Sequence, residues 1–241
     1  DKYRSFAALR DAWGLPPAVS PGLAESGSPG PQSWENVVIP QRQPNLTYPA
    51  LYDPASNGAW IDLNNFAAEM PARLITRMAA TVDEIVGGRK LIGVCYGHAF
   101  SQSAGPWRWP HLALDEVLGD ESIDMLTGPL VPAAGELPFP TASATAAGKL
   151  WLERRSPMPA VNGHIELRPP PSGPDMSAGG LAVIFDDVSA RYLRRDGGLV
   201  WPLFGGQLRE LGQVKVPWRL YTMGGLLAGQ VPPAPAYLFL D

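Results

Sequence analysis

Apolar positions recur along the chain at two different periods. Between Asn64 and Ile85 they return every three to four residues, at Phe66, Met70, Leu74, Met78 and Ile85, with Arg73 and Arg77 on the other side. That spacing predicts a long amphipathic helix, and Gly87-Gly88 supplies its stop. Pro71 lies inside the run and predicts a kink or a late start. Tyr3–Trp13 repeats the helical spacing through Phe6, Leu9 and Trp13, and Leu112–Leu118 and Leu199–Leu211 predict two further helices, with one or two helical turns at Ser189–Arg195.

The second pattern is the short unbroken apolar run. Leu91–Tyr96, Ile123–Leu126 and Lys149–Leu152 are three such runs in the first part of the chain. Leu181–Phe185, Trp218–Tyr221 and Tyr237–Leu240 are three more in the last part. Leu181–Phe185 (LAVIF) reads as a buried strand, and the alternation of these runs with helices predicts an α/β protein with parallel sheets. In such folds the chemistry gathers at the carboxyl ends of the strands. Glu153 follows Lys149–Leu152 at that end, and Tyr96 and His98 follow the first strand.

The 27 prolines and 26 glycines cluster at joints. Residues 16–31 and 128–147 read as loops, and Pro157–Gly180, which holds Arg168-Pro-Pro-Pro-Ser-Gly-Pro, reads as a boundary between domains. The predicted division is therefore 1–156, a joint at 157–180, and a second α/β unit at 181–241.

Length and charge narrow the functional classes. At 241 residues the chain is long enough for one large domain or two modest ones. A net charge of −4 without a basic run argues against nucleic acid as a partner, and the longest apolar stretches are too short to span a bilayer. Cys95 is the single cysteine, which excludes an internal disulfide and mildly favours a reducing, cytoplasmic compartment, with secretion left open. Its place in an apolar strand predicts a buried small side chain. His98, His111 and His164 are far apart and lack metal-ligand spacing, so neither a metal nor another cofactor is expected.

Two acidic positions admit chemistry. Asp186-Asp187 directly follows the apolar run Leu181–Phe185, where a G-x-G-x-x-G turn would signal a dinucleotide. The pair could hold Mg²⁺ or receive a phosphoryl group, but capping of the helical turn at Ser189 is the better-supported reading. Glu153 alone reads as a surface carboxylate paired with Arg154 or Arg155. Trp151 lies two residues before it on the same face of the strand, and either lines a pocket with it or fills the core. Trp107 and Trp109, between Pro106 and Pro110, read as a packed loop.

The order of these segments carries a resemblance. Arg89–Gly97 (RKLIGVCYG), His111–Leu114 (HLAL), Ser122–Leu126 (SIDML) and Gly148–Glu153 (GKLWLE) follow one another as in the later half of the catalytic barrel of family 42 β-galactosidase-like glycoside hydrolases. Phe6–Arg10, Ala12-Trp13-Gly14 and Ser33-Trp34-Glu35 resemble the stretch after that family's fourth barrel strand, and Leu181–Asp241 is similar to the flavodoxin-like trimerisation domain that follows the barrel.

The resemblance implies a partial (β/α)8 barrel followed by a flavodoxin-like α/β domain. It implies a retaining β-glycosidase acting on terminal β-galactosides by a two-carboxylate double displacement, assembled as a homotrimer. Glu153 matches the nucleophile at the end of the seventh strand; Tyr96, His98 and Trp151 are the candidate sugar contacts. The general acid/base belongs to the end of the fourth strand, and no residue of this chain matches it. The eighth strand is also without a match in Arg154–Gly180, a Pro-rich stretch with no apolar strand. The alternative is a non-catalytic assembly or binding fragment of such an enzyme.

Overall fold

The computed structural model describes residues 2–15, 33–40, 49–96, 111–129, 140–154, 167–168, 180–194, 198–199, 201–213 and 216–240. Within them the protein is a mixed α/β structure with two small, mainly parallel sheets. Helices α1 (Phe6–Ala12), α2 (Pro54–Val86), α3 (Leu114–Leu118) and α4 (Thr141–Ala146) interleave with strands β1 (Gly93–Cys95), β2 (Met125–Pro129) and β3 (Leu150–Arg154). A short strand β4 (Leu167–Arg168) follows, then β5 (Leu181–Phe185), α5 (Asp187–Ala190), a π-helical turn (Trp201–Gly206), α6 (Gln207–Leu211), β6 (Trp218–Thr222), α7 (Met223–Leu227) and β7 (Ala236–Leu240).

The first sheet has the order β1-β2-β3-β4; β1, β2 and β3 are parallel neighbours in chain order, and β4 pairs antiparallel to β3. Val94, Leu126 and Trp151 fall in one register row. The second sheet is fully parallel with β5 between β6 and β7. All six strands predicted from apolar runs form, within two or three residues at their ends, in the two sheets expected. The Thr141–Ala146 helix lies in a stretch read as loop. Its alanines favour helix, and it covers the sheet with Ser143 and Ala144 buried.

Helix α2 begins ten residues before the predicted start. Asp53 caps it, accepting the N–H of Ala55 at 3.0 Å, and Pro54 sits in the first turn, where no N–H is needed. Gly87 ends it in the left-handed conformation at φ 62°, donating its N–H to the Asp83 carbonyl at 2.8 Å. Pro71 is carried inside the helix.

The face that α2 buries is not the one its large apolar residues mark. Ile61, Asn64, Ala67, Ala68, Ala72 and Ala79 point inward, while Phe66, Met70, Leu74, Met78, Val82 and Ile85 are 45–75% exposed. Small alanines let the helix axis approach its neighbours closely, and the bulky stripe is turned to the outside.

The two sheets meet in one continuous apolar cluster. Ala68, Ala72, Leu114, Val117, Leu126 and Trp151 share it with Val183, Phe185, Phe204, Leu220 and Leu240. Phe185 and Phe204 pack edge to face with centroids 5.6 Å apart. Packing between the two sheets is therefore larger than the few apolar residues of 157–180 imply. The surfaces in contact come from helices and strand faces distant from that joint.

Candidate functional site

The carboxyl edge of the first sheet is where sequence and fold converge. Gly148, at φ 73°, turns the chain from α4 into β3. Lys149 fixes the strand's entry by donating to the carbonyls of Asp120 at 2.5 Å and Ile123 at 2.6 Å. From there the register carries Glu153 to the position beside Gly128 of β2 and Arg168 of β4. The Tyr96 N–H reaches the Thr127 carbonyl at 3.1 Å, so Tyr96 stands on the other side of Gly128. Tyr96, Gly128 and Glu153 thus form one row across three parallel strands, two strand spacings from end to end, about 10 Å. The middle member of the row has no side chain.

The candidate residues divide between edge and core. Trp151 is buried with Leu126 in the main cluster and serves as core. Tyr96 is fully buried: its ring lies against His111 with centroids 4.4 Å apart, and its Oη accepts the Ala113 N–H at 3.1 Å. Burial raises its hydroxyl pKa well above the ordinary value of 10.0, the Ala113 N–H opposing it only in part. Tyr96 has no open ring face on which a sugar could stack. Its hydroxyl instead holds the backbone that leads into α3. His98, Trp107 and Trp109 lie outside the described residues, as does His164.

Cys95 is exposed, against the expectation of a buried thiol. Strand β1 is at the sheet's edge, and Cys95 points to the face opposite Val94 and Tyr96, which the core does not cover. Asp186 fulfils the capping reading, accepting from the N–H groups of Val188 at 2.9 Å and Ser189 at 3.1 Å.

A polar cluster that sequence reasoning missed joins the two sheets. Asp187 is buried at the carboxyl end of β5, where Oδ2 accepts the Leu114 N–H at 3.2 Å and lies 3.5 Å from Arg191 Nη2. Arg191 also donates to the Leu112 carbonyl at 2.8 Å and pairs with Glu69 of α2 at 3.3 Å. Burial, with Asp115 nearby, pushes the Asp187 pKa up to about 6 in spite of Arg191. At the end of β6, Thr222 donates from Oγ1 to Asp115 at 2.9 Å and from its N–H to Ser143 Oγ at 2.8 Å. These groups are bonded to one another and to backbone, so they clamp α3, α4 and the second sheet together. The Asp-Asp dipeptide was their one visible sign in the sequence, and neither its capping reading nor its Mg²⁺ or phosphoryl reading shows the bond of Asp187 to the Leu114 N–H.

Among the described residues no group of three or more His, Cys, Asp and Glu side chains is placed to hold a metal. Among them, too, no helix is long and apolar enough to cross a membrane. Comparison with known protein families, with curated proteins and with solved structures yields no match to this chain.

Proposed function

We propose that the chain belongs to a retaining glycoside hydrolase of the family 42 β-galactosidase-like type, with the carboxylate of Glu153 as nucleophile. The observation that carries the reading is the place of Glu153 at the carboxyl end of the third of three parallel strands adjacent in chain order. Consecutive strands of a (β/α)8 barrel have that arrangement, and barrel enzymes build their sites at that edge. The order β6-β5-β7, second-first-third along the chain, is also the order of the opening strands of a flavodoxin-like sheet. It supports the expected second unit.

In this mechanism the ionised carboxylate attacks the anomeric carbon of a terminal β-galactoside while a second carboxylic acid about 5–5.5 Å away protonates the departing oxygen. The glycosyl ester is then hydrolysed as the second group withdraws a proton from water. This chain supplies a match for the nucleophile only. By itself it is expected to be inert toward aryl β-galactosides.

The test uses the full-length protein and a 2-deoxy-2-fluoro glycoside with a good leaving group, which traps the glycosyl ester. Mass spectrometry is expected to find the sugar on the peptide containing Glu153. Glu153→Gln should bind galactose and lose turnover by more than about 10⁴-fold, beyond the loss of one proton-transfer group. Glu153→Gly with azide should regain rate and give a glycosyl azide of inverted configuration. Labelling of another carboxylate, or turnover indifferent to residue 153, would remove Glu153 from the reaction. A second reading, a non-catalytic assembly fragment, is favoured by the apolar stripe that α2 leaves exposed. An inactive full-length protein that still associates would select it.

A further inference from the structure

Helix α2 presents a continuous line of exposed apolar side chains. Phe66, Met70, Leu74, Met78, Val82 and Ile85 follow each other at intervals of four and then three residues, along about 28 Å of helix. Scattered exposed apolar side chains need no explanation, whereas six in one line on one helix mark a contact surface. Their four-residue spacing forms a ridge of the kind that packs into the groove beside the same ridge of another helix.

The charges beside the stripe indicate the occupant. On a helical projection at 100° per residue, Arg77 and Glu84 lie on the same flank of the ridge, two turns apart. Both are exposed, and neither side chain has an ion-pair partner among the described residues. The cation lies toward the amino end and the anion toward the carboxyl end, so the flank is complementary to itself when a second α2 runs antiparallel. With the two-fold axis near residue 80, Met78 lies over the copy's Val82, Leu74 beside its Ile85, and Arg77 beside its Glu84. The same axis brings the two Thr81 side chains close together. Thr81 is exposed, and its hydroxyl is used only for the Arg77 carbonyl of its own helix at 3.0 Å.

We infer that the protein pairs with a second copy of itself through an antiparallel α2–α2 contact centred near Thr81, with Arg77 and Glu84 exchanging ion pairs across the two-fold axis. The contact is independent of Glu153 and of any sugar. It also differs from the trimer that the family resemblance implies, because a two-fold axis generates even-numbered assemblies. One helix face buries less than a standard interface, so the association is expected to be weak and reversible.

Sedimentation of the 241-residue chain across a concentration series tests it. A reversible even-numbered species is expected, and a protein that stays monomeric or trimeric to about 500 µM overturns the inference. Met78→Glu should weaken association at least about 100-fold by placing a charge in the seam, with helix content unchanged and the thermal midpoint unchanged at concentrations where the wild type is monomeric, because residue 78 is exposed in the single chain. Arg77→Glu and Glu84→Arg should each weaken it, and the double exchange should restore it. Failure of that rescue would reject the antiparallel register. Oxidation of Thr81→Cys in a Cys95→Ser background should give a disulfide-linked dimer, and its absence would likewise place the contact elsewhere.

Discussion

Asp187, just past the end of β5, accepts the backbone N–H of Leu114 at the start of α3, 3.2 Å away. One carboxylate thus closes the second sheet onto a helix of the first, with Arg191 beside it as its counter-charge. Burial dominates the balance, and the group titrates near 6 instead of 3.8.

The sign of that shift gives a pH prediction. A carboxyl group whose folded pKa is raised favours the folded state most when protonated, so its contribution is present below about pH 4 and is lost as pH rises through 6. Asp187→Asn keeps an acceptor for Leu114 and cannot ionise. The unfolding free energy of the variant minus that of the wild type should therefore rise by on the order of 2–3 kcal/mol between pH 4 and pH 7. Urea titrations at several pH values measure it, and a difference independent of pH would refute the buried ionisation.

Asp62 should behave in the opposite sense. It is buried in part, which alone would raise its pKa, but donors from Lys2, Tyr3 and Trp13 outweigh burial and hold it below its ordinary value. The Tyr3 hydroxyl is 2.7 Å away and Trp13 Nε1 2.8 Å. Its stabilisation is complete above the ordinary carboxylate range and is lost as pH falls below it. Asp62→Asn should destabilise at pH 7, detach α1 from α2 and remove this part of the stability loss in acid; tryptophan fluorescence of Trp13 reports the detachment.

Tyr96→Phe separates a structural from a binding role. Removing the hydroxyl leaves the buried Ala113 N–H without its acceptor, at a cost of about 1–3 kcal/mol. On the proposed glycosidase reading, galactoside affinity should be unchanged. A fall in affinity at constant stability would return Tyr96 to the binding site.

Two glycines carry packing predictions. A methyl group on Gly58 would run into the Ala12 carbonyl, and one on Gly224 into the Asp115 carboxylate. Gly58→Ala meets backbone and should destabilise by about 1–3 kcal/mol through overpacking. Gly224→Ala meets a side chain and should act by breaking the Asp115–Thr222 bond. Thr222→Val should reproduce its effect, and the double variant should cost less than the sum. Additive costs would show that the methyl group acts elsewhere.

Local pattern alone was enough for much of this protein. Unbroken apolar runs located β1, β2, β3, β5, β6 and β7, and their alternation with helices made the sheets parallel. Gly87 after Val86 located the end of α2 because few other residues adopt its backbone conformation without strain. These features depend on residues near in sequence. The tertiary structure alone decided which face of each element is covered. Periodicity marks the bulky stripe of α2 as apolar, yet the alanines opposite it are what fit against α3 and the sheet. The same holds for Cys95, on the face of β1 that the core leaves uncovered, and for Tyr96, buried with its hydroxyl accepting the Ala113 N–H. The Asp187–Arg191–Glu69 group unites residues over a hundred positions apart, and no local spacing encodes that meeting. Burial is a property of the partner as much as of the residue, and the partners here come from distant parts of the chain.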